Sequence, residues 1–354
     1  MEESRIAFLR SIIATPSPSG FEQKVQQIIR EEVQHYTDEM RTDVHGNVIA
    51  ALNPNGRPRV MLTAHCDELG FIVRYIDEQG FLYFAPIGGY DPATLPAQRV
   101  HIQTPSGAIP GVIGAKAVHL QSGDERSKKT PIKEMWFDIG ATTREEAQQL
   151  VPIGSVATRV AQLETLRGDL VVSRALDNKS GIFTVVEAMR RLHEQRGQLH
   201  AGVYFVSAVQ EEVGLRGART SAYSVDPQIA IAVDVGFTSD HPGTSKQDIG
   251  EIKLNGGPII TISGFVNPRV YDMLVNVANE AGFAYQLDVA PGSTGTDTDA
   301  IQVARGGVAT GLLGIPSRYM HTSSEIVSLK DIDQTAEVIA RFVLALDEQT
   351  NLIP

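Results

Sequence analysis

The chain has 354 residues, a formal net charge of −11, 42% hydrophobic and 21% charged residues, and one cysteine, Cys66. That length suits two domains with ample core material, and an acidic balance without basic patches excludes a nucleic-acid surface. The lone cysteine excludes an internal disulfide and suits a reducing cytoplasm.

The start, "MEESRIAFLRSIIATPSPSGFEQ", opens on two glutamates and does not read as a secretory signal. No segment nears the roughly 20 apolar residues that span a bilayer. "ESRIAFLRSII" puts Ile6, Leu9, Ile12 and Ile13 on one helical face, and "FEQKVQQIIREEVQHY" repeats the pattern after the break "TPSPSG". "NVIAAL" and "RPRVMLTA" read as strands around the turn "NPNG". From Phe71 the texture changes to short β-rich pieces with Gly and Pro, interrupted by the polar stretch "LQSGDERSKKTPIK". One short helix there starts at "TTREEAQQL", where Thr142 or Thr143 with Glu145 or Glu146 suggests a capping box. From about Gly168, helical and strand-like segments alternate through the closing helix "LKDIDQTAEVIARFVLALDEQ". The expected fold is therefore α/β, a mostly parallel sheet between helices. Residues 1–70 and 166–354 form the main domain, and residues 71–165 form an inserted β-rich domain.

Several apolar strands end in costly polar groups. "VMLTAHCDELGF" ends in His65, Cys66, Asp67 and Glu68. Residues i and i+2 of a strand share a face, so His65 and Asp67 can lie together while Cys66 points away. A carboxylate beside a histidine suits a metal ligand and the group that fixes its tautomer, although a polar strand end under a loop fits the same pattern. "SRALDNKSG" sets Asp177 before a helix, as a ligand or as a plain N-cap. "SAVQEEVGLRGA" gives Glu211 and Glu212, which point in opposite directions and can take different jobs, or simply meet solvent. "AIAVDVG" leaves Asp234 at the end of an apolar run, where an ionised group needs a cation or donors. "GIPSRYMHTSSE" puts His321 just past the last apolar strand.

The set is more specific than its members. All five ligand candidates fall at or past predicted strand ends, and ligands bind at that edge in open α/β sheets. Two imidazoles and three carboxylates, without thiolates, suit two divalent ions with open positions for water.

"AHCDELGF", "ALDNKSG", "QEEVGLRGA", "AVDVG" and "IPSRYMHTSSE" occur in the order found in the tetrahedral aminopeptidases, which the chain resembles over nearly its whole length. That is the glutamyl-aminopeptidase-like family of cytosolic di-metal peptidases, some of which have carried an endoglucanase label. "TPSGAIPGVIGAKAVHL" and "MWFDIGATTREEA" are similar to that family's dimerisation domain. The resemblance implies a cytoplasmic metal-dependent aminopeptidase with two zinc or cobalt ions. Asp177 would bridge the ions, His65 and Asp234 would complete one position, and Glu212 and His321 the other. Glu211 would be the general base and Asp67 would orient His65. "APGSTGTDTDAI" would line the pocket for the first side chain, with Thr296 and Asp297 as contacts and Arg318 as a cation near the site; an ordinary loop fits that segment too. The implied partners are peptide substrates and further copies of the chain, as dimers and a tetrahedral dodecamer, with no nucleic acid and no membrane. Cys66 departs from the expected apolar residue.

Rival readings are a related di-metal amidohydrolase of deacylase or carboxypeptidase type, a glycoside hydrolase, and a non-enzymatic assembly protein. A β-rich insert between His65 and Asp177 disfavours the first. A glycoside hydrolase needs only two carboxylates and leaves His65 and His321 without a role. An assembly protein would tolerate loss of Glu211 or Asp177.

Overall fold

A computed structural model describes residues 2–354. Its centre is an eight-stranded sheet in the order Glu39–Thr42, Val48–Leu52, Gly202–Ala208, Arg59–His65, Ile229–Phe237, Ala309–Ser317, Ile259–Ser263, Gln286–Ala290. The four strands from Gly202–Ala208 to Ala309–Ser317 run parallel, so their carboxyl ends share one edge. Antiparallel pairings join the strands on either side to this group.

Strand alternation assigns the faces. Val60, Leu62 and Ala64 enter the large core, with Phe183, Val186 and Met189 of helix Leu176–Glu194 and Ile339 and Phe342 of helix Leu329–Leu344. Met61 faces the other way, onto Ala218 and Ala222 of helix Arg216–Val225 and Ile301 beyond them. His65 follows Met61 in phase, whereas Cys66 joins the large core, fully buried, and burial pushes its thiol well up. At roughly 1.5–3 kcal/mol per buried large apolar side chain, these two faces fix the strand register and hence which face His65 occupies.

Strands Gly70–Ile76, Leu82–Ile87, Arg99–Thr104, Gly107–Gly114, Trp136–Asp138 and Val156–Arg159 close into a six-stranded barrel. Its core is separate, built on Phe71, Phe84 and Phe137, with the Phe84 and Phe137 rings stacked at 4.2 Å. Helix Arg144–Leu150 starts with Thr143 accepting from the Glu146 N–H, while Glu146 accepts from the N–H of Thr142. The reciprocal bond thus lands one residue before the cap. The polar stretch 120–133 holds a short helix, Gly123–Arg126, with a full Ser122–Glu125 capping box.

Strand Glu39–Thr42, at one edge of the main sheet, has no counterpart in the sequence expectation, and two further features differ from it. Strand Leu170–Ser173, which precedes Asp177, belongs to a separate three-stranded sheet, so Asp177 reaches the edge from a helix start and not from a strand of the main sheet. Strand Gln286–Ala290 also extends the main sheet where no strand was expected.

Candidate metal centre

His65, Asp177, Glu211, Glu212, Asp234 and His321 converge on one cavity of about 320 Å3 at the carboxyl edge of the parallel strands. His65 is the last residue of its strand, Glu211 and Glu212 follow strand Gly202–Ala208, and His321 follows strand Ala309–Ser317. Asp234 projects from within strand Ile229–Phe237. Asp177 sits where the first turn of helix Leu176–Glu194 departs from helical dihedrals; Asn178 beside it accepts from the Gly181 N–H and donates to the Val233 carbonyl.

Asp177 divides its oxygens between the two imidazoles. Oδ1 lies 3.3 Å from His65 Nε2, and Oδ2 lies 3.3 Å from His321 Nε2. Around His65 Nε2, Asp234 Oδ1 and Glu211 Oε2 stand at 3.8 Å, and Glu212 Oε2 stands 3.8 Å from His321 Nε2. Donor atoms of His65, Glu211 and Asp234 lie within 4.8 Å of one another, as do those of His65, Asp177 and Glu212.

The electrostatics describe a pit of negative charge. Burial pushes Glu211 up to about 10 and Glu212 up to about 8, and neighbouring carboxylates push the same way. Burial and Asp177 raise Asp234 as well, against His65. The imidazoles respond in the opposite sense. Burial works to lower His65, yet Glu211, Asp177, Asp234 and Asp67 together hold it well above its ordinary value. The bond to Asp177 leads in raising His321 to about 9. Crowded N and O donors without thiolates and short of cations suit divalent ions of the zinc class.

Two further carboxylates support this cluster, each spending both oxygens on main-chain amides. Asp67 Oδ1 accepts from the Glu211 N–H at 3.0 Å; Oδ2 accepts from the Glu212 N–H at 3.2 Å and from the Ser19 hydroxyl at 2.7 Å. The nearest partner of His65 Nδ1 is the Asp67 main-chain carbonyl at 3.1 Å, with the carboxylate at 3.5 Å. Glu325 repeats the device. Oε2 accepts from the Asp177 N–H and Oε1 from the His321 N–H, both at 3.0 Å. Burial and Asp177 push the Glu325 carboxyl up to about 8, against the Asp177 N–H, Arg159 and His321. Sequence reading left Glu325 without a role; its one signal was a place in "HTSSE" beside His321.

Of the three residues expected around the first side chain, Thr296 lines the cavity. Asp297 is buried and absent from the cavity wall, with neither carboxylate oxygen hydrogen-bonded among the described residues, and burial pushes it up to about 7. Arg318 is held by Asp240, donating from Nε at 2.9 Å and from a terminal nitrogen at 2.6 Å.

Fold and site together are those of an α/β exopeptidase, a peptide hydrolase. More particularly, the family model described as M42 glutamyl aminopeptidase matches residues 46–338, and the chain belongs to that family, in which metal dependence is general. A lysyl aminopeptidase of Pyrococcus furiosus is 34% identical, covering 93% of this chain and 94% of the relative. A TET aminopeptidase from Thaumarchaeota archaeon SCGC AB-539-E09 superposes with a TM-score of 0.93 at 32% identity, over 98% of this chain and 97% of that one. The TET1 peptidase of Pyrococcus horikoshii, which can assemble into a tetrahedron or a large octahedral shell, gives a TM-score of 0.86 at 30% identity, over 97% and 100%. Among the described residues, no helix is long and apolar enough to cross a membrane.

Proposed function

We propose that the chain removes N-terminal residues from peptides with two divalent ions per subunit, zinc or cobalt. Asp177 would serve both positions, with His65 and Asp234 holding one ion and Glu212 and His321 the other. The observation that carries this reading is the division of the Asp177 oxygens between His65 and His321. Bound divalent ions acidify a water toward a pKa of about 7 and polarise a carbonyl.

The remaining steps fall to this chain's side chains. Glu211 reaches the same cavity and takes the proton of the attacking water, then passes it to the leaving amine. Glu211 must be ionised to take that proton, and the positive charge of bound divalent ions would favour its ionised form. Asp67 fixes the Glu211–Glu212 main chain. Carboxylates around the cluster receive the substrate's N-terminal ammonium, which selects for chain ends.

The barrel supports pairing of two copies. Dimers of the chain would build into a tetrahedral dodecamer in the cytoplasm; the tetrahedron of the Pyrococcus horikoshii relative supports the tetrahedral form.

Glu211→Gln tests the core of the reading. The variant keeps its metal, counted by mass spectrometry, and loses about 10²–10⁴-fold in kcat, the usual worth of a general base. Wild-type turnover in that variant would refute the assignment, and full activity in a chelator would refute the metal mechanism.

A further inference from the structure

The metal cluster occupies one end of the cavity. Part of the remaining wall is a sheet face of alternate residues: Leu312 and Gly314, then Ile259 and Thr261 on the next strand, then Asp288 and Ala290 on the edge strand; the loop 293–296 and Phe237, Ile252 and Met320 line the cavity as well. Asp288 is the one ionisable side chain of that wall outside the cluster. It is half-buried, and among the described residues its only side-chain partner is the Thr261 hydroxyl at a long 3.5 Å. No cation pairs with it among the described residues. The nearby Arg318 has its guanidinium committed to Asp240. The backbone register adds depth: Asp234 lies opposite Gly314, Gly314 opposite Ile259, and Ile259 opposite Gln286. Three strand spacings, about 14 Å, therefore separate the backbone carrying Asp234 from the backbone carrying Asp288.

We propose that Asp288 makes this pocket selective for a long cationic first residue, lysine or arginine. The inference rests on the aminopeptidase reading above and names its substrate class. An acidic side chain would meet a carboxylate and no counter-charge there. A large apolar one would shield the Asp288 carboxylate from water without giving it a partner, which costs free energy, and a short one would not reach it. A lysine or arginine lays its aliphatic stem along Ile259 and Leu312 and brings its charged head to Asp288. Burial raises the Asp288 carboxyl, as expected for an anion awaiting a cation.

The test is kcat/KM of the metal-loaded full chain on lysyl, arginyl, leucyl and glutamyl p-nitroanilides, for wild type and Asp288→Asn. Wild type prefers lysyl and arginyl substrates, with glutamyl the poorest. The substitution lowers the lysyl-to-leucyl ratio by about 10–100-fold, the range of a lost charge-assisted bond in a desolvated pocket. Retained leucyl turnover shows that the variant is folded and metal-loaded. The proposal is overturned if wild type favours leucyl or glutamyl substrate, or if the ratio does not move. Absence of turnover on every substrate by the metal-loaded wild type removes the aminopeptidase reading itself, and this proposal with it.

Discussion

Glu325→Gln isolates how the metal centre is held together. In the wild type both Glu325 oxygens accept main-chain N–H groups, from Asp177 and His321, each at 3.0 Å. A glutamine offers one accepting oxygen and one donating nitrogen. Whichever way the amide turns, one main-chain N–H faces another N–H, deep in a site where Glu325 is 3% exposed. Losing one hydrogen bond to a charged acceptor costs about 1.5–3 kcal/mol. The loss falls on Asp177 or on His321, both proposed above as ligands, so it would emerge as poorer ligand geometry. Outer partners of metal ligands are commonly worth about 10–100-fold in metal affinity or activity, which matches this range. The assay is calorimetric titration of zinc into metal-free wild type and variant, with aminoacyl p-nitroanilide turnover at saturating metal. Expected are weaker binding by that factor and lower turnover, with the far-ultraviolet circular dichroism of the fold intact. A glutamine variant that binds zinc and turns over as the wild type does would refute the claim that Glu325 places Asp177 and His321.

Two further outcomes can be checked on stability. Stripping the metals with a chelator lowers Tm, because each site occupied at about 100 times its Kd adds about 2.7 kcal/mol to the folded state; an unchanged Tm, with activity also unchanged, would remove the metal from the account. Asp331 accepts from the Asn255 and Gly257 N–H groups at 2.7 and 2.9 Å, and burial pushes its carboxyl up to about 6. Its folded pKa exceeds the unfolded one, so the stability it contributes is full below about pH 4 and is lost as pH rises through 6, about 3 kcal/mol for two units. Denaturant titrations of metal-free wild type and Asp331→Asn from pH 4 to 7.5 should show a fall in stability larger in the wild type by about 3 kcal/mol, on top of the slope that both share from other buried carboxyls, and equal slopes would contradict it.

What could be read in advance follows from where free energy leaves marks on sequence. Val60–Ala64 and Ile229–Val233 are apolar because both sheet faces are covered, so the polar residues that interrupt such runs, His65 and Asp234, stand out. The edge strand Gln286–Ala290 gave no such contrast. Its alternation is inverted, with Leu287 and Val289 facing out at 42% and 67% exposure while Gln286 and Asp288 face in. Apolar positions therefore mark the wrong face, and the residue pattern gives no sign of a strand that lines a pocket. Glu325 was silent for another reason. Its partners are main-chain amides, one 148 residues away, and an amide donor leaves no trace in residue type. Asp67 was legible as a neighbour of His65, but its hold on Glu211 and Glu212 depends on a turn that brings residues 144 and 145 positions apart together.

The supporting carboxylates explain why so many charges are buried at this edge. Glu68, next to Asp67, accepts from the Ser17 N–H and the Lys179 ammonium, each at 2.9 Å, and pairs with Arg174. Lys179 lies two residues beyond Asp177 and Arg174 three before it, so Glu68, itself three residues beyond His65, clasps the segment that carries Asp177. Burying such a triad adds little net stability compared with apolar packing, although removing one member leaves a charge stranded. Its value lies in position. Asp67, Glu68 and Glu325 fix the main chain on both sides of Asp177 and at Glu211, Glu212 and His321 through partners that do not touch the ligating atoms. The ligand side chains stay free to face the cavity, and the spacing of the donors becomes a property of the backbone. A site held in this way tolerates the mutual repulsion of its own carboxylates, because the main chain cannot relax to relieve it.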